Sequence, residues 1–224
     1  MKVKFIHHSC YTIELEKTII VFDYTEGELL LPKDKDLIFV VTHGHGDHFH
    51  PNIFQYKNRA KYLISTHVES GSKEADITWI SPDEEKSIDD IKFHAYGSTD
   101  EGISVLVEAE GKNLYHSGDL NFWLWPRYMA EDIKNMAHEF MGEVDKAKDF
   151  APIDVLMAVV DPRMGDYYHL TGQYFLKTLT PKHFFPLHLW EDFALSETFA
   201  KRFQKEFSNS NIHSIKGDGE EFIL

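Results

Sequence analysis

The chain has 224 residues, 42% hydrophobic and 14% aromatic, a globular composition with enough residues for one large core and unlike that of a disordered segment. Thirty-seven acidic residues against 23 basic ones give a formal charge of −14, which excludes an extended nucleic-acid surface, where clustered Lys and Arg must meet phosphates. No run approaches the ~18 apolar residues that suggest a membrane span. The start MKVKFIHHSC lacks the apolar stretch of a secretory signal, and Cys10 is the single cysteine, so the expected home is the reducing cytoplasm.

In chain order, β-branched and alternating runs predict strands over residues 2–6, 10–15, 18–23, 37–42, 61–65, 91–96, 103–109 and 113–116, read as one batch. A helix is expected to open at Pro51. Residues 126–150 repeat apolar positions at helical spacing, with Met129, Ile133, Met136, Phe140 and Val144 as the core face. A second batch follows: a strand over 154–160, a helix over 171–180, a strand over 183–186, and a helix over 196–207 carrying Phe199, Phe203 and Phe207. No linker, repeat or low-complexity stretch interrupts the chain, so one domain over 1–224 is expected.

The most informative segment is VVTHGHGDHFHP, residues 40–51. His43 and His45 are two apart at a strand end, so on extended backbone both imidazoles point the same way and can share one ion. Gly44 and Gly46 permit a tight bend around it. Asp47 and His48 follow at the turn, aimed at a second position. Imidazole and carboxylate without thiolate suit zinc first, with manganese or iron next. Two divalent ions would reverse the local field of this acidic chain and let it accept a small anion, although long polyanions would be repelled.

This pattern resembles the signature of the metallo-β-lactamase superfamily, and LYHSGDLN (114–121) and HFFPLHLWED (183–192) resemble its later elements. The resemblance implies an α/β fold, a four-layer αββα sandwich. It implies a first metal on His43 and His45, a second on Asp47 and His48, Asp119 as the bridge, and His188 completing the second site. The beginning FIHHSCYTIELEKTIIVFD resembles a compact subgroup related to sugar-acid lactonases. One departure stands out: the family's third histidine for the first metal has no counterpart in YGSTDEGISVLVE, where Ser98, Thr99 and Asp100 stand. Asp100 can replace it as an oxygen ligand; His94 and His116 are rivals inside expected strands, and an incomplete first site is the third possibility.

Around these residues, His8 in the first loop, Arg163 at a strand end and Trp123 beside Asp119 are candidate substrate-binding groups. Arg163 would grip a carboxylate or phosphate, or else pair with Asp161; Trp123 would wall a cleft or pack a helix start. A metal-bound water has a pKa near ~7, so metal-bound hydroxide would attack a small ester, lactone or phosphodiester, with Asp47 orienting it. No G-x-S-x-G elbow competes. A di-iron redox protein on the same fold and a non-catalytic metal-binding or sensor protein with an incomplete first site are the alternatives. Relatives of the di-iron kind typically put a glutamate where His45 stands.

Overall fold

The apolar runs become strands because their β-branched and aromatic side chains pack on pleated, two-sided surfaces. A computed structural model describes residues 1–69 and 71–224. The first sheet takes β1 (Lys2–His7), β2 (Cys10–Glu14), β3 (Thr18–Phe22), β4 (Asp36–Val41), β5 (Ala60–Ser65) and β6 (Asp76–Ile80). The second takes β7 (Glu85–Ile88), β8 (Ile91–Tyr96), β9 (Ser104–Ala109), β10 (Lys112–His116), β11 (Val155–Val159), β12 (His183–Leu187) and β13 (Asn211–Ile212); β14 (Glu221–Ile223) returns to the first sheet beside β1.

Both sheets are mixed in the same way. Hairpins β1–β2–β3 and β7–β8–β9–β10 are antiparallel, while β3 to β6 and β10 to β13 run parallel. Phe5, Tyr11, Phe22 and Val40 of the first sheet meet Phe93, Val107, Leu114 and Leu156 of the second in the principal core. Helices α1 (Ala130–Lys146), α2 (Leu170–Leu179) and α3 (Phe193–Phe203) cover the outer face of the second sheet, with Phe175 on Tyr115 and Phe199 on Phe184. Across the first sheet the fourth layer is thinner. A six-residue 3-10 helix, Pro51–Tyr56, and the loop carrying Leu29 and Leu31 pack on Phe39 and Tyr62.

The architecture is the expected αββα sandwich, with local differences. The strands over 91–116 belong to the second sheet, because the chain crosses between β6 and β7 rather than extending one batch. β6, β7, β13 and β14 were not foreseen: each is short, and none of the four carries a strong apolar run. The helix at Pro51 is 3-10 rather than α. Only the C-terminal part of the predicted α1 stripe is core: Met136, Phe140 and Val144 are buried, whereas Met129 is 73% exposed and precedes the helix as its cap. α3 starts at Phe193 because the Asp192 side chain accepts from the Leu195 N–H.

Candidate metal centre

Six strand ends converge on one rim of the sandwich. β1 leads to His8, β3 to Asp23, β4 through Thr42 to His43–His48, β10 to Asp119, β11 to Asp161 and β12 to His188. Carboxyl ends of strands in open α/β sheets form such crevices, because loops there leave the core with their polar side chains still close together. Two second-sheet loops press on Thr42 and His43. A Cβ at Gly102 would stand 2.2 Å from the Thr42 carbonyl oxygen, and one at Gly118 2.6 Å from that of Ile103; both glycines have positive φ. Gly46, by contrast, has open space around it, so the tight bend predicted there does not require glycine.

Around the first position, His43 Nε2 lies 3.1 Å from His45 Nδ1 and 3.7 Å from Asp119 Oδ2. His45, Asp100 and Asp119 bring donor atoms within 4.8 Å of one another. This position faces solvent: the His45 side chain is 46% exposed, and its Nε2 meets Glu101 Oε2 at 2.9 Å. The rival histidines lie elsewhere. His94 pairs with Glu85 and Glu108, and buried His116 takes the Gly118 N–H on Nδ1 and donates through Nε2 to the Ser9 carbonyl.

The second position is buried. His48 Nε2 and His188 Nε2 lie 3.0 and 3.4 Å from Asp119 Oδ1, and His188 Nε2 lies 3.5 Å from Asp47 Oδ2. Its imidazoles are braced from behind. Asp23 accepts from His48 Nδ1 at 2.8 Å, and Asp161 accepts from His188 Nδ1 at 2.7 Å. Thr42 Oγ1 donates to Asp23 at 2.7 Å, so it accepts from His43 Nδ1 at 3.0 Å. Each brace holds a proton on Nδ1 and turns Nε2 inward, the nitrogen that a ligating histidine offers to an ion.

The donor set fits cations. Among the described residues, His8 Nε2, Asp119 Oδ1 and His188 Nε2 are buried with no hydrogen-bond partner. Two donors each ~2.0–2.1 Å from a tetrahedral ion sit about 3.3 Å apart, which is the middle of the separations seen here. Electrostatics agree. Burial lowers His43 to about 4, with His48 adding to it, so this ring is neutral at pH 7. Burial also opposes charge on His48, yet Asp119 and Asp23 hold it well above the usual value. Asp119 and Asp47 are held below the usual carboxylate range despite burial, Asp119 by His48 and Asp47 by His188 and His8. A protonated imidazole thus occupies electrostatically the place a metal ion would take.

Beside Asp47 opens a cleft of about 650 Å³, lined by Phe5, His8, His50, Trp190 and Phe193 among others, a size suited to a small molecule. Of the candidate substrate groups, His8 reaches this cleft. Arg163 spends Nε and Nη2 on Asp161 and stacks over Trp123, Trp125 and Trp190 at 5.5, 5.5 and 4.8 Å. Trp123 is 4% exposed beneath it, so the aromatic wall of the cleft is Trp190, which the sequence reading did not single out. Asp23, Thr42 and Asp161 were also not singled out for the site. Their signal is a carboxylate immediately beyond a buried strand, as in TIIVFD and VLMAVVD.

Paired mixed sheets with a His/Asp cluster at their strand ends define the metallo-β-lactamase fold. Residues 2–188 match the beta-lactamase superfamily domain, and the chain belongs to that family. A UPF0173 metal-dependent hydrolase of Pyrococcus abyssi is 28% identical over 167 residues, covering 66% of this chain and 70% of its own. Another, from Staphylococcus saprophyticus, is 24% identical over 247 aligned positions, covering 96% and 97%. A metallo hydrolase from Ignicoccus hospitalis shares the fold over 100% of both chains, with a TM-score of 0.69 at 18% identity.

Proposed function

We propose that this single-domain chain hydrolyses a small ester, lactone or phosphodiester in the cytoplasm, using one or two divalent ions, zinc first among them. That it is a metal-dependent hydrolase is carried by its family and relatives. The observation that supports the site is the convergence of buried, unpartnered His188 Nε2 and Asp119 Oδ1 beside a small-molecule cleft. His43, His45 and Asp100 would hold the first ion, Asp47, His48 and His188 the second, and Asp119 both. Such ions polarise a carbonyl or phosphoryl oxygen and acidify water, so no side-chain nucleophile is required.

The chain's own residues do the rest. Asp47 lies half-buried at the cleft floor and stays anionic, so it can accept and orient the hydrogens of an attacking water. Trp190, Phe5 and Phe193 line the cleft with apolar surface against which a small substrate would pack. Arg163 holds Asp161, which aims His188.

The test is elemental analysis of the purified protein together with a screen of the metal-reconstituted protein over lactones, esters and phosphodiesters. Turnover that disappears with chelator and returns with zinc or manganese is expected. Bound metal without turnover on any of the three classes would favour the non-catalytic reading.

A further inference from the structure

None of the ligands that the resemblance implies lies in the first loop, yet that loop sends a histidine to the second position. His8 is 8% exposed, and its Nε2 is buried without a hydrogen-bond partner. That nitrogen lies 3.4 Å from Asp47 Oδ2, within the 3.0–3.7 Å spread of the other neighbouring donors. His8, Asp47, His48 and His188 all offer a donor atom within 4.8 Å of one another. The ring is clamped with its centroid 4.3 Å from that of His188 and 4.6 Å from that of Trp190, and the His8 carbonyl accepts the His188 N–H at 3.2 Å. The peptide backbone thus couples the two histidines as the side chains approach.

An imidazole nitrogen buried without a hydrogen-bond partner against a carboxylate and two imidazoles is costly unless a cation joins them. We propose that His8 is a metal ligand: the fifth donor, with Asp47, His48, His188 and the shared Asp119, of a closed second position. This rests on the ligand assignment proposed above and changes its meaning. Five protein donors leave the second ion no vacant corner, whereas catalytic positions keep one open. The open corner then belongs to the exposed first position, and His8 serves the ion rather than the substrate. Unlike its partners, His8 has no carboxylate behind its ring among the described hydrogen bonds; packing against Trp190 aims it instead.

The full chain, stripped of metal and titrated with cobalt(II), tests this. His8→Phe keeps a ring against His188 and Trp190 and removes both nitrogens. The expected result is an ion at the second position bound about tenfold or more weakly, with an altered visible cobalt spectrum as a protein donor is lost, and the first ion unchanged. His188→Ala serves as the reference. If it loses the second ion while His8→Phe keeps unmutated affinity and spectrum, His8 is not a ligand and the proposal alone falls. If both variants keep both ions unchanged, the ligand assignment falls with it. Histidine nitrogen NMR of the unmutated chain gives an answer independent of folding. His8 Nε2 must move to its metal-bound position as zinc fills the second position together with His188, and a His8 signal that zinc leaves unmoved overturns the proposal.

Discussion

The two proposed ion positions share Asp119 and little else. The second is buried, its His48 and His188 each held from behind by a buried carboxylate, Asp23 or Asp161. The first opens to solvent, with His45 and Asp100 exposed and a carboxylate standing where the family pattern has an imidazole. The difference teaches that one fold rim can carry a preorganised anchor and an adaptable working site side by side. Preorganisation comes from burial and outer hydrogen bonds, while exchange of water and substrate requires exposure.

The largest test removes what the two positions share. Asp119→Ala is expected to cut kcat/KM on whichever substrate the screen identifies by about a thousandfold or more, the scale of several kcal/mol at the reacting centre. Elemental analysis should then find fewer than two ions per chain; a variant retaining both ions and turnover would break the comparison. Next in size are the braces. Asp161→Asn should weaken the second ion by about 10–100-fold and spare the first, read by competition with a chromophoric chelator. Asp23→Asn should weaken both, because Asp23 also fixes Thr42 and through it His43.

A smaller change sharpens the contrast from the other side. Asp100→His gives the first position a third imidazole, and its zinc affinity should rise about tenfold, in line with the softer donor set zinc favours. Identical titrations for both forms would show that Asp100 does not touch the ion.

The smallest effect is in protons. His43 is lowered to about 4, so its contribution to the stability of the metal-free chain is complete above its ordinary value of 6.5 and is lost as pH falls through about 4. His48 and His188 are raised, so theirs is complete below 6.5 and lost as pH rises through their folded values. Loading the second position must displace those protons. An indicator dye in weak buffer near neutral pH should report proton release from that ion, with affinity climbing as pH rises, and none from His43.

Much of this contrast was legible in residues 40–51, where spacing after an apolar run placed four donors without any tertiary information. Asp119 and His188 required the likeness to a known family, because single residues far apart in the chain carry no local periodicity. The braces were not read, since Asp23 and Asp161 look like ordinary strand ends until β3, β4, β11 and β12 lie side by side. Sheet membership of residues 91–116 was misread for a similar reason: EKSI has no apolar alternation to mark the crossing strand. His8 was visible as a residue of interest, but only its depth and its unpartnered nitrogen motivate the proposal of a metal donor over a rim group.

His43, His45, Asp47 and His48 leave the first sheet, whereas Asp119 and His188 leave the second. A captured ion is therefore a removable rivet between the halves of the molecule. At free metal one hundred times its dissociation constant, one such rivet adds about 2.7 kcal/mol to folding. For a chain of this length, that is roughly 5–11 °C of melting temperature. If the proposed ions bind, metal supply would bear on the lifetime of the fold as well as on turnover.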